Sequence, residues 1–178
     1  ILILVCTLGL SIYHSNLHGE EFNISAIEFS IDQKNNIVIG EGDVEVTDSE
    51  GILIRADKVT YEKSKEFLLV EGSVEIIDVE KNILKSDKAT YDKKKERITT
   101  YENSELILKE GYKLISNKIS YNTIKKIISS NQNSILTDSD GNIVMVNMFQ
   151  YHLEKNLFSS IGKIKVIDIN KNKYFFKE

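Results

Sequence analysis

Few residues in this sequence have the types and spacing that chemistry at one site requires. The histidines are His14, His18 and His152. His152 has no serine, cysteine or second histidine at a motif spacing, so a nucleophilic triad has no support. The single cysteine, Cys6, excludes an internal disulfide, a four-cysteine zinc site and an iron–sulfur cluster. Asp138-Ser139-Asp140-Gly141-Asn142 starts like a calcium loop, but no glutamate follows at EF-hand spacing, and the segment reads as a turn. Lys93-Lys94-Lys95 beside Arg97 could touch a phosphate. Asp92 and Glu96 dilute that charge, and a solvated turn is the better reading. Asp57 and Asp87 recur with a repeat, whereas a catalytic centre gathers its groups in one place; they read as turn or sheet-edge hydrogen bonders. No catalytic residue, metal ligand or cofactor is expected, and the sequence does not read as an enzyme.

Composition narrows the field further. The chain has 178 residues, room for one domain or a domain plus a targeting segment. It is 41% hydrophobic and 28% charged, too apolar for a disordered chain. A net charge of −4 without a basic block argues against nucleic acid. Residues 1 to 13 (ILILVCTLGLSIY) are almost wholly apolar, and segment 1–20 reads as a truncated signal peptide or membrane anchor. Residues 21–178 read as one domain, cut within an apolar pattern at Tyr174-Phe175-Phe176-Lys177-Glu178.

The elements that must position any site come from a repeat. Tyr61, Tyr91, Tyr121 and Tyr151 stand 30 residues apart. The same step joins Phe67, Arg97, Ile127 and Leu157, then Val46, Ile76, Leu106, Leu136 and Val166, then Ile54, Leu84, Leu114, Val144 and Tyr174. Gly42, Gly72 and Gly162 share a column that Glu102 and Gln132 complete. A nearly ungapped period means stacked supersecondary units. Within each copy the pattern has period two, so the units are strands, and the repeat overrides the helix-like look of Tyr121 to Ser130. Two strands and two turns per copy predict roughly ten to eleven strands of about ten residues, long beside the usual 5–6.

Such units must share a core, because one hairpin is marginal alone. Loose, charged corners favour strands that reverse direction over a parallel β-helix. The expected fold is all-β, an elongated antiparallel β-jellyroll folded over like a taco, with Val44, Val46, Ile54, Val74, Ile76, Leu84, Leu106 and Leu114 facing inward. Each tyrosine is expected to pack before its turn with the hydroxyl reaching water. From alternation alone, these aliphatics would fill a closed core.

Gly40-Glu41-Gly42-Asp43-Val44-Glu45-Val46, Ile54-Arg55-Ala56-Asp57-Lys58-Val59-Thr60-Tyr61 and Val70-Glu71-Gly72-Ser73-Val74-Glu75-Ile76 resemble the OstA-like repeat of the LptA-like periplasmic lipopolysaccharide-transport family. The two clearest copies cover residues 38 to 92, and weaker ones continue to residue 176. Residues 160–168 and 172–176 are similar to the late part of an LptD N-terminal domain, which a membrane barrel follows.

The resemblance implies binding of lipopolysaccharide acyl chains in an apolar groove and their passage across the periplasm to the outer membrane. It implies edge-to-edge strand pairing with other jellyroll Lpt proteins, and an outer-membrane barrel and its lipoprotein partner if the protein is LptD-like. On that footing the eight inward aliphatics become lipid-groove candidates. The physics agrees, since each CH₂ exposed to water costs ~0.8 kcal/mol and a long chain needs a continuous apolar trough. The alternatives are a secreted structural β-repeat with a closed core and a β-sandwich carbohydrate enzyme. The latter would need inward paired carboxylates, and the clear strand interiors hold none.

Overall fold

Alternating apolar and polar side chains let a strand bury one face only, so strands of this kind must be stacked in register. The computed structural model describes residues 15–18 and 22–176, which contain 18 strands and two short 3-10 turns. All strand pairings are antiparallel and follow the 30-residue step. Among the described residues no helix is long and apolar enough to cross a membrane. Most of segment 1–20, read above as a signal peptide or anchor, lies outside the described residues. Its Ser15–His18 forms a strand against Phe22–Ala26.

Four long strands, Ile37–Asp48, Leu53–Glu62, Phe67–Ile77 and Ile83–Asp92, fold the structure over. Their ladders break between Glu41 and Val44, Arg55 and Lys58, and Glu71 and Val74. Each strand therefore contributes one half to each of two facing layers. A tyrosine layer runs through 28–32, 37–41, 58–62, 67–71, 88–92, 97–101, 120–122, 127–130, 148–152 and 157–161. An aliphatic layer runs through 22–26, 44–48, 53–56, 74–77, 83–86, 104–107, 113–116, 134–137, 143–146, 164–167 and 173–176. The turns of the two layers form the lips of the fold, opposite the corner where the chain crosses over.

The corner explains the glycine column. Gly42 and Gly72 have φ of +76° and +77°, and the residues after them, Asp43 and Ser73, are also left-handed. In the next copy Glu102 and Asn103 adopt φ of +61° and +43° without a glycine. From there each copy is interrupted at the corner, and the halves become separate strands such as Arg97–Tyr101 and Ser104–Ile107. This corrects the expectation of uniformly long strands: a bulge that stays within one strand at Gly42 and Gly72 becomes a break in the later copies, the Gly162 copy included.

Candidate functional site

Strand register gathers the predicted inward residues into one line. Val46, Ile54, Ile76, Leu84, Leu106 and Leu114 are successive cross-strand partners, and the row continues through Leu136, Val144 and Val166. Val44 and Val74 lie one inward position nearer the corner, opposite Ala56 and Ser86. All eight candidates are 1–4% exposed. The outward positions between them carry an ionic ladder, in which Arg55 meets Glu45 at 2.9 Å and Glu75 at 3.6 Å, and Lys85 meets Glu75 at 3.2 Å. Over these strands the aliphatic layer is apolar inside and carries a charged ladder outside.

The opposite wall is a row that the sequence reading did not assemble. Tyr61, Leu68, Tyr91, Ile98, Tyr121, Ile128, Tyr151 and Phe158 are successive partners across the tyrosine layer. Leu68, Ile98, Ile128 and Phe158 also stand 30 apart, so the signal was present. The column noted above, Phe67, Arg97, Ile127 and Leu157, is its outward neighbour. Nearer the corner, Ser104, Ser116 and Ser134 pair across three strands and make the inner wall locally polar. Ser134 donates to Ser116 Oγ at 3.1 Å, whereas Ser104 Oγ is buried without a hydrogen-bond partner.

At the lips, two expectations are overturned. The Tyr91 hydroxyl does not reach water: it donates to Asp48 Oδ2 at 2.8 Å, across the mouth on the aliphatic layer. Tyr121 donates likewise to Asp78 Oδ2 at 3.2 Å. Lys93 is not a solvated turn residue. It is 5% exposed, and its Nζ lies 2.8 Å from Glu50, 3.0 Å from Glu96 and 3.4 Å from Asp48. The folding-over brings the turns after Tyr91 and Tyr121 against aliphatic-layer turns from earlier copies, which closes space that an isolated hairpin would leave to solvent. Lys94 and Lys95 do stay exposed. Asp57 and Asp87 serve the corner, accepting from Ser73 Oγ at 3.4 Å and Asn103 Nδ2 at 2.6 Å.

These lip contacts have a pH signature. Burial, then the Asp48 hydrogen bond and charge, push the Tyr91 phenol well above its ordinary 10.0. Burial and Asp78 do the same for Tyr121. For Lys93, burial pulls downward, but hydrogen bonds to Glu50 and Glu96 and the charge of Asp48 more than offset it and raise it above 10.5. In all three the folded state holds its proton more tightly than the unfolded state. Their stabilisation is therefore full below about pH 10 and falls as pH rises beyond it. We expect the denaturation midpoint to decline above that pH, and Tyr91→Phe with Tyr121→Phe to flatten the decline. An unchanged slope in that variant would contradict the assignment.

The third lip position differs. Tyr151 donates to Asn156 of its own turn at 2.6 Å instead of reaching across. There the interior opens into a cavity of about 210 Å³, whose lining includes Leu106, Leu108, Leu114, Leu136, Tyr151 and Phe158. Two of the eight predicted residues, Leu106 and Leu114, face this space. Beyond it the rows lose cover, and Tyr174 and Phe176 are about half exposed. The described residues contain no cluster of three or more His, Cys, Asp or Glu side chains able to hold a metal.

Comparisons with known proteins place this architecture. In fold it resembles the crystal structure of LptH, the LptA-homologous periplasmic component of the lipopolysaccharide transport device of Pseudomonas aeruginosa. The TM-score is 0.56 at 19% identity, over 62% of this chain and 81% of that one. The G-box domain of the microcephaly protein CPAP aligns over 93% of this chain and 99% of its own at 9% identity, with a TM-score of only 0.21. At that score the likeness carries no argument. No curated protein matches the sequence. The model of the family described as LptA/(LptD N-terminal domain) LPS transport protein matches residues 23–156. That stretch contains the bulged strands, most of both rows and both lip contacts, and the chain belongs to this family of lipopolysaccharide transport proteins.

Proposed function

We propose that the space between the two layers receives the acyl chains of lipopolysaccharide and passes them across the periplasm toward the outer membrane. The supporting observation is the unbroken inward row from Val46 to Leu114, which ends in an open apolar cavity within a chain of the transport family. Aliphatic walls suit a sliding cargo, since they hold an acyl chain by many weak contacts and no strong one. The sugar head stays in water outside the lips. Val44, Val46, Ile54, Val74, Ile76 and Leu84 are packed against the opposite layer, and on this reading they part from it as a chain moves through.

The same reading places residues 21–178 as the transport domain, exported by segment 1–20. Its partners are other jellyroll Lpt proteins, joined edge to edge, and ultimately an outer-membrane barrel with its lipoprotein. Leu157–Ile161 and Lys173–Phe176 each pair on one side only among the described residues, and Phe175 is 70% exposed. Such edges are templates for strand addition.

Ultraviolet cross-linking in cells tests the proposal. A photoreactive residue replaces Val74 or Leu84 on the inside, and Glu75 or Lys85 on the outside. Adducts of lipopolysaccharide size are expected at the inner positions alone. Stable, folded protein with adducts at neither face would replace transport with the closed structural repeat.

A further inference from the structure

Resting on the transport reading, we infer that this chain has a lateral portal: acyl chains pass through the mouth between the turn at residues 108–112 and the turn at residues 153–156. At the two preceding positions along the seam the lips are latched by polar groups. Tyr91 reaches the residue 43 positions before it, Asp48, and Tyr121 reaches Asp78 at the same offset. Lys93 strengthens the first latch through Asp48, Glu50 and Glu96. The corresponding position for Tyr151 is Leu108, which offers no acceptor. The place of Lys93, one and two repeats on, is taken by Thr123 and then Leu153. Both sides of the third latch have therefore become leucine, and Tyr151 turns to Asn156 on its own lip.

The consequence is an energetic difference along one seam. A chain crossing at the first latch must separate buried charges from their partners, which is costly. A chain crossing at Leu108 and Leu153 parts two leucines and separates no buried charge pair. The cavity lies directly behind this gap, and Phe158, stacked on Phe149 with centroids 5.6 Å apart, forms part of its wall. The occupant that fits is a saturated hydrocarbon tail of a lipid whose polar head remains outside.

The test uses the purified chain with lipopolysaccharide as the probe. Benzoylphenylalanine replaces Phe158 at the portal or Phe22 deep behind the latches, and the mixture is illuminated briefly after mixing. The variant Leu108→Asp restores the missing acceptor for Tyr151; Leu108→Asn offers the same hydrogen bond without the charge if the aspartate variant unfolds, judged by circular dichroism. Early adduct is expected at Phe158 before Phe22, and either variant should lower it about fivefold, the weight of one hydrogen bond that must open first. Undiminished Phe158 adduct in a folded variant would overturn the portal while leaving lipid binding intact. No adduct at either position in the parent chain would overturn lipid binding and the portal together.

Discussion

Replacing Lys93 with Met is expected to cost about 3–5 kcal/mol, the range for breaking a buried ion pair on one side. The ammonium is 5% exposed, and the side chain of Asp48 beneath it is 1% exposed. Methionine fills a similar volume but leaves Asp48 and Glu96 facing each other around the Tyr91 hydroxyl with their shared cation gone. Glu50, half exposed, loses little because water screens it. For a domain of this size the loss corresponds to a fall in melting temperature on the order of 10 °C. A companion Asp48→Asn change should recover part of it, since the uncompensated negative charge is then removed. A loss below about 1 kcal/mol would mean that Lys93 behaves as an ordinary surface lysine.

The second large effect is expected at the corner. Gly72 has φ of +77°, and a Cβ placed there would lie 2.8 Å from Asp57 Cγ and 2.9 Å from Asp57 Cβ. Valine adds backbone strain of about 1–3 kcal/mol for a β-branched residue in the left-handed region, and the clash adds to it. Because the corner sends one strand into both layers, displacement there shifts Val70 and Val74 together. We expect Gly72→Val to destabilise by about 3 kcal/mol or more in denaturant titration, above the strain alone. Asp57→Gly in the same chain removes the clash and should restore the excess, leaving the strain. Equal losses with and without that rescue would place the whole cost in the backbone.

Much of this fold was legible because its period is explicit. Columns such as Val46, Ile76 and Leu106 return every 30 residues, and in antiparallel strands that step fixes register and face together. The inward face of all eight aliphatics is therefore written in the repeat itself. Two features were hidden for distinct physical reasons. The acceptors of Tyr91 and Tyr121 lie 43 residues back, one repeat plus a fraction, in the facing layer. That offset depends on how the layers stack when folded over, which periodicity along the chain does not encode. Lys93 looked solvated because its own turn is rich in charge; its burial comes from Asp48 and Glu50, which are distant in sequence. The break into short strands after Asp92 begins at Glu102 and Asn103, and a left-handed glutamate is not what its residue type predicts.

The cavity, too, was not visible from the pattern. Leu106 and Leu114 look identical in the sequence to Ile76 and Leu84 and are as deeply buried, yet they also line the cavity. The difference is set across the mouth, where Leu108 stands in the column of Asp48 and Asp78.

The most direct test of the central claim is to observe the lipid's tail against the inner wall. Methyl-labelled protein with lipopolysaccharide in solution gives nuclear Overhauser contacts between acyl methylenes and nearby leucine, isoleucine and valine methyls. Contacts are expected to Leu106, Leu114 and Leu136 on the inner row, and none to Leu53 or Ile115 on the outer face of the same layer. Contacts confined to the outer face, or none at all with the fold intact, would contradict it.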